Sequence, residues 1–312
     1  MEGWSRSLTR RRFLRGLGLA AAAPLVPGAA GGAATGAART PATKAIPSSG
    51  ERLPVIGLGT YRTFDVPAGA GRAALVPVLQ AFLDRGGTLI DSSPMYGQAE
   101  ATLGELLRTA RAPRVFAATK VWTDGKDAGV AQMARSLRLW GVPRFDLMQI
   151  HNLRDWRVHH ETLAEWKASG RVRYVGITTS HGRMHDELEQ ALKRASFDFV
   201  QLTYNLEDRE VERRLLPLAV DRGIAVLVNR PFQLGGLFDK VKGKALPPWA
   251  SELEIASWAQ LFLKFAVSHP AVTCAIPATS KVKHMEDNMG AAYGPLPDEA
   301  MRARMVRFVE GQ

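Results

Sequence analysis

Four residues in this sequence have the types and spacing for chemistry. They are Asp91 in I-D-S-S-P-M-Y-G, Tyr96 five residues on, Lys120 closing F-A-A-T-K and His151 closing M-Q-I-H. An ammonium that follows a run of apolar and small residues is drawn out of water, where an unpaired charge is costly or loses its proton. Asp91 is its natural counter-ion. A phenol beside that ammonium should ionise below its ordinary value of about 10, because positive charge favours phenolate. A phenol tuned in this way is a general acid near neutral pH, and His151 would orient a carbonyl oxygen. The set offers no Ser or Cys nucleophile with a base and no evident acid pair for glycoside cleavage. His151, His159 and His160 lack a matching carboxylate spacing, so no metal is expected. A proton donor aimed at an oxygen suits carbonyl reduction, given a source of hydride.

Four such groups can meet only if the chain carries them to one place. From Leu53 onward, short apolar runs alternate with amphipathic segments. The runs are Val55–Gly59, Thr88–Asp91, Val115–Lys120, Phe145–His151, Val172–Thr178, Phe199–Thr203, Ile224–Asn229 and Val272–Pro277. They are continuous rather than alternating, as expected of parallel strands buried on both faces. Helical patterns fall over Gly71–Arg85, Ala99–Arg108, Ala128–Trp140, His160–Ser169, Met184–Ala195, Glu210–Arg222 and Glu252–Ser268. Repeated strand–helix units mean a parallel sheet, and eight of them fit a single-domain α/β fold of the (β/α)8 TIM-barrel type. Gly57-Leu58-Gly59-Thr60 lacks the third glycine of a dinucleotide-binding turn, which argues against a doubly wound sheet. Pro231–Ala250 is too long for a tight turn and is expected to shape the site. In such a barrel the C-terminal strand ends hold the chemistry, and Asp91, Lys120 and His151 end three successive runs.

Residues 1–38 are expected to stand apart from the 39–312 barrel. Thr9–Arg15 reads T-R-R-R-F-L-R, and an apolar small-residue stretch follows from Gly16 to Val26. A basic segment, a weakly hydrophobic one and small residues afterwards make a secretory signal, and the paired Arg10 and Arg11 before Phe-Leu resemble a twin-arginine export signal. The expected partner is the twin-arginine export machinery, and the expected location is periplasmic or exported. That destination is compatible with a single thiol, Cys274, which is expected to be a buried small hydrophobe.

The rest of the composition mainly excludes. Of 312 residues, 46% are hydrophobic and 23% charged, a globular mixture. One cysteine rules out an intrachain disulfide framework or a CxxC centre. Five of the 41 basic residues and one of the 30 acidic residues lie in 1–38, so the net charge of +11 falls to +7 for the remainder. That charge is spread over helix-like segments with no aromatic-interleaved stripe, so no nucleic-acid partner is expected. No long uninterrupted apolar run predicts stable membrane insertion.

Over residues 50–310 the chain resembles the aldo-keto reductase family. The resemblance rests on Asp91 ending the second run, Tyr96-Gly97 beyond it, Lys120 ending the third, His151 ending the fourth, and G-L-G-T-Y at 57–61. It implies NADPH as cofactor, with NADH admitted, and a small-molecule carbonyl substrate. It further implies that Tyr96 is the general acid, tuned by Lys120 and Asp91, with His151 orienting the carbonyl. Thr60, Thr178 and Gln201 fall where the family meets the nicotinamide end. Thr178-Thr179 replaces the usual Ser-Asn, and Asn229 stands where an aromatic ring is often stacked. Pro231, Phe232, Leu234 and Gly235 begin the stretch that would cross the pyrophosphate. Pro277, Thr279, Lys281, His284, Asp287 and Asn288 would serve the adenosine end, with His284 in place of the Arg often found by the 2′-phosphate and Lys281 supplying charge. Tyr61, Phe64, Trp122 and Trp249 are expected as pocket walls.

Two other functions fit the same residues. The altered Ser-Asn pair and the lost aromatic ring leave room for an NADP-binding sensor or auxiliary subunit with little turnover. Lys120 could also act as a Schiff-base amine in a barrel hydrolase or lyase.

Overall fold

Eight strands line up in chain order, each parallel to the next. The computed structural model describes residues 39–110, 112 and 114–311, and the segment from Arg39 onward forms one compact unit. The expected export leader lies outside the described residues. Two short strands come first, β1 (Thr43–Ala45) and β2 (Arg52–Pro54). The eight follow as β3 (Leu58–Gly59), β4 (Leu89–Asp91), β5 (Phe116–Val121), β6 (Phe145–Ile150), β7 (Val172–Thr178), β8 (Phe199–Thr203), β9 (Ala225–Asn229) and β10 (Val272–Ala275). The architecture is the expected (β/α)8 barrel. Closure comes from backbone bonds between the first run and the last: Gly57 N to Ala275 O at 2.8 Å and Gly59 N to Pro277 O at 3.0 Å. Both glycines are required there. A Cβ on Gly59 would lie 2.5 Å from Ile276 O, and one on Gly57 2.9 Å from Leu89 O. The Gly-x-Gly pattern therefore serves barrel closure.

Side chains alternate across a strand, and the barrel uses that alternation to make two cores. Leu89, Phe116, Ala118, Leu147, Tyr174, Phe199, Ala225, Leu227 and Cys274 fill the interior, where Ile46 and Leu53 from the β1–β2 hairpin join them. The opposite faces of the strands meet the helices in a second, larger core. The hairpin was missed at the sequence level, because its two three-residue strands are too short to show a period.

Helix ends shift where local chemistry intervenes. The expected Gly71–Arg85 helix divides into Ala70–Ala73 and Val76–Asp84, with Pro77 seated in the first turn of the second piece, where a missing N–H costs nothing. The last of the expected helices starts at Trp258 rather than Glu252, because Ser257 Oγ caps it by accepting from Gln260 N at 3.1 Å. Glu210–Arg222 contains a 3-10 turn at Glu210–Glu212 and a helix only over Leu215–Asp221. Among the described residues no helix is long and apolar enough to cross a membrane.

Candidate active site

Along the inner faces of β4, β5, β6, β8 and β9 the residues turn from apolar to polar toward the C-terminal end. Leu89 is followed by Asp91, Phe116 and Ala118 by Lys120, Leu147 by Gln149 and His151, Phe199 by Gln201 and Thr203, and Leu227 by Asn229. Period two brings these polar groups together on one barrel face. Lys120 is completely buried. Its Nζ donates to Asp91 Oδ2 at 2.5 Å and to Ser92 O at 2.8 Å. The other oxygen of Asp91 accepts from Gln149 Nε2 at 2.8 Å and Gln201 Nε2 at 3.1 Å. A buried charge pair is tolerable only when its remaining lone pairs are satisfied, and the two glutamines do this for Asp91.

Tyr96 sits in the turn after β4, with its N–H bonded to Ser93 O at 3.0 Å. Gly97 explains the Tyr-Gly pair. Its φ is +57°, and a Cβ there would lie 2.3 Å from Asp65 Oδ1, which accepts from Gln98 N. The Tyr96 ring lies 5.1 Å from that of Tyr61 and meets His151 edge-on at 5.7 Å. Lys120 Nζ is 5.2 Å from the Tyr96 ring centre. His151 Nδ1 shares a 2.9 Å hydrogen bond with Ser93 Oγ.

The electrostatics differ from the sequence expectation at Tyr96. Its pKa is pushed well above 10.0, first by burial and then by the negative charge of Asp91, with Tyr61 adding to both. Lys120 was expected to lower it. The ammonium is instead neutralised at 2.5 Å by Asp91, so the phenol meets an ion pair, and desolvation decides the direction. His151 is held well below 6.5, by burial first and by Lys120 second, and is neutral. Burial lowers Lys120, against the opposing pull of Asp91 and Glu100.

A cavity of about 440 Å³ opens above this group. Thr60, Tyr61, Asp91, Tyr96, His151, Thr178, Gln201, Asn229, Pro231, Phe232, Leu234, Gly235 and Pro277 all line it. Lys120 lies beneath, reached through Asp91. Asn229 has no ring to offer and instead ties the rim together. Its Oδ1 accepts from Thr203 Oγ1 at 2.7 Å, and its Nδ2 donates to Thr179 O at 2.8 Å.

Other expected residues are not brought to the cavity. Phe64 is wholly buried in the outer core. Trp249 is buried against Phe308 with Arg304 5.3 Å from its ring. Trp122 carries Arg154 at 5.0 Å on its face instead of facing the cavity. Thr279, Lys281, His284, Asp287 and Asn288 are absent from the cavity wall. Asp287 accepts from Gln260 Nε2 at 2.9 Å, and Asn288 is buried. Phe64, Trp122 and Trp249 were expected as walls because they are aromatics in loops on that face, and where a side chain points is set by packing.

Sequence reasoning also missed residues that matter here. Gln149 links Asp91 to Gln201, and its place two residues before His151 on the same inner face was the available signal. Met95, Arg62, Asn152, His181, Arg183, Arg230 and Phe238 all line the cavity. Five of them lie in loops and turns, where no period marks direction, while Asn152 sits in a 3-10 turn and Phe238 in the short helix Gly236–Lys240. Among the described residues no group of three or more His, Cys, Asp or Glu is placed to hold a metal ion.

The aldo/keto reductase family model matches residues 55–304. The chain belongs to this family. It is 28% identical over 190 residues to the aldo-keto reductase YhdN of Bacillus subtilis (strain 168), covering 55% of this chain and 56% of that one. It is 26% identical over 227 residues to the NADH-specific methylglyoxal reductase of Escherichia coli (strain K12), covering 62% of this chain and 68% of that one. The chain thus spans little more than half of the first of these relatives. Among solved structures, an aldo/keto reductase from Klebsiella pneumoniae in complex with NADP and acetate superposes with a TM-score of 0.69 at 28% identity, over 83% of this chain and 93% of that one. The aldo/keto reductase barrel accounts for the strand order and the closure seen here.

Proposed function

We propose that this protein is an NAD(P)H-dependent oxidoreductase that reduces the carbonyl group of a small molecule to an alcohol. One observation carries the reading: Tyr96, neutral His151 and the buried Lys120–Asp91 pair converge on one wall of a single cavity. The cavity also offers groups suited to the nicotinamide end and phosphates of a dinucleotide. Gln201, Thr178 and Asn229 set amide and hydroxyl groups on its floor, and Arg230 leaves Nε and Nη1 buried without partners. Gln201, Thr178 and Thr60 would hold the nicotinamide end, and Pro231 to Gly235 would border the phosphates. Relatives named for NADH specificity and crystallised with NADP support NADPH, with NADH as an alternative reductant.

A bound reduced nicotinamide would supply hydride to the carbonyl carbon. The chain's own residues handle the oxygen. Burial keeps the proton on Tyr96 at neutral pH, so the phenol reaches the carbonyl oxygen as a loaded acid. As negative charge grows on that oxygen, Tyr96 passes its proton there. Asp91 holds Lys120 in place, and Gln149 and Gln201 hold Asp91. Ser93 fixes the Nδ1 side of His151, leaving the other ring nitrogen to orient the substrate oxygen. The basic leader of residues 1–38 supports export by the twin-arginine route, which carries folded proteins, to a periplasmic or external destination.

The test pairs binding with turnover. The full chain is titrated with NADPH and NADH by nicotinamide fluorescence, then assayed for aldehyde-dependent oxidation of the bound form. Tyr96→Phe should cut turnover by more than about a hundredfold, the scale of general acid catalysis, and leave the binding constant unchanged. Retained turnover in Tyr96→Phe would remove Tyr96 from the role.

A further inference from the structure

Gln149 and Gln201 both sit on inner strand faces, but only Gln201 lines the cavity, while Gln149 is fully buried. Their strands, β6 and β8, are not neighbours, because β7 runs between them. The two side chains meet because β7 carries none at that level. Gly176 stands in register with Gln149, and a Cβ on it would lie 2.9 Å from Gln149 Cγ. Gln149 Oε1 accepts from Gln201 Nε2 at 3.1 Å, and its own Nε2 donates to Asp91 Oδ1 at 2.8 Å. Gln201 Nε2 also donates to that same Asp91 oxygen, at 3.1 Å.

These bonds decide which end of the Gln201 amide faces the cavity. The two ends of an amide are close in shape, but one donates and the other accepts. A carboxylate only accepts, so both glutamines turn their NH2 ends to Asp91. Turning Gln201 over would set its oxygen against Asp91 Oδ1 and Gln149 Oε1, two other acceptors. One bond to Asp91 selects the NH2 end but leaves the amide plane free to turn. The second bond, to Gln149, uses the remaining hydrogen and fixes the plane. No hydrogen bond among the described residues reaches Gln201 Oε1. The network therefore leaves this side chain with one oriented acceptor to offer and no donor.

We propose that Gln149 is a positioning residue: it holds the Gln201 amide so that Oε1 is presented to accept from the NH2 of a nicotinamide carboxamide. The identity of that NH2 rests on the function proposed above. The held amide rests on Asp91, Gln149 and Gln201 alone. Because the Asp91 carboxylate also pairs with Lys120, one network orders both the charge pair beside the acid and the acceptor for the cofactor ring.

The test uses the full chain as wild type, Gln149→Met and Gln149→Glu. Met keeps the side-chain length and removes both amide ends. Glu beside Asp91 should hold a proton, because like charges disfavour a second carboxylate, and so keeps one donor and one acceptor. Side-chain amide exchange is followed first by NMR, since it needs no ligand, with Gln201→Met identifying the Gln201 signals. Gln149→Met should speed exchange of the Gln201 NH2 about fivefold, the worth of one hydrogen bond, and Gln149→Glu should retain most of the protection. A wild-type Gln201 pair that exchanges like an exposed glutamine overturns the proposal whether or not the variants fold. NADP+ and its 3-acetylpyridine analogue, in which a methyl replaces the carboxamide NH2, are then titrated by tryptophan fluorescence beside 2′,5′-ADP, which has no nicotinamide. The wild type should bind NADP+ about fivefold more tightly than the analogue. Gln149→Met should lower that preference to about twofold or less and leave the affinity for 2′,5′-ADP unchanged, which a general loss of structure would not do. Exchange protection that depends on Gln149 in a protein that binds no dinucleotide upholds the held amide and refutes the reductase reading. Equal wild-type affinity for NADP+ and the analogue overturns the carboxamide contact. If Gln149→Met folds, by melting curve, and changes neither exchange nor preference, Gln149 is not a positioning residue.

Discussion

Replacing Asp91 by Asn tests the buried charge pair directly. Three donors converge on the Asp91 carboxylate: Lys120 Nζ at 2.5 Å, Gln149 Nε2 at 2.8 Å and Gln201 Nε2 at 3.1 Å. An amide offers one oxygen and one NH2 in their place. Whichever way it turns, an NH2 faces a donor. Removing one member of a buried pair costs roughly 3–5 kcal/mol. The upper end should not be reached, because Lys120 can shed its proton. Burial already pulls its pKa below 10.5 against the opposing effect of Asp91, and each unit of further depression costs only about 1.4 kcal/mol.

A loss of about 3 kcal/mol near pH 7 is therefore expected, or roughly 6–12 °C in melting temperature for a domain of this size. In the variant, folded Lys120 binds fewer protons than unfolded Lys120 between its depressed value and the unfolded value of about 10.4. Stability there rises with pH, so the deficit against wild type should shrink from neutral pH toward about pH 10. Urea unfolding at three pH values measures both effects. Asp91→Asn combined with Lys120→Met removes both charges and should recover most of the loss. A single variant within about 1 kcal/mol of wild type at neutral pH, or a deficit that grows with pH, would refute the reasoning.

Four further outcomes follow from the geometry. His151 is held well below 6.5, so the reduction rate should show no acid loss centred near that value; a midpoint there in kcat/KM would mean a His151 that titrates normally. Tyr96 stays protonated above its ordinary pKa, so the pH–rate profile should show no loss from its ionisation up to about pH 10, and an alkaline midpoint that disappears in a Tyr96 variant would contradict this. Gly59→Ala places a methyl 2.5 Å from Ile276 O at the barrel seam and should cost roughly 1–3 kcal/mol, the scale of overpacking, read as a lower urea midpoint. Cys274 is fully buried, with its thiol pushed up by burial and by Asp91; it should resist a thiol reagent in the native state and react once the chain is unfolded.

The seven regular strands from β4 onward were legible in the sequence because each buries a short continuous apolar run, and Val172–Thr178 and Phe199–Thr203 coincide with β7 and β8 to the residue. The four-residue chemical set was legible for a related reason. Asp91, Lys120 and His151 end adjacent strands, and period two fixes their inward direction once the strands are known. Helix ends were less legible, because caps such as Ser257 and turns such as that before Trp258 depend on single side chains.

Sequence alone thus determined the family of the fold, the strand ends and the residue types presented there, since hydrophobic period and chain order are local properties. Only the tertiary structure decided which loop residues reach the cavity. It left Phe64, Trp122 and Trp249 outside and brought Arg62, Arg183 and Arg230 in. It also reversed the expected direction at Tyr96, because a pKa follows from the sum of burial and every nearby charge. Lys120 had to be seen with Asp91 at 2.5 Å before its positive charge could be counted as already spent.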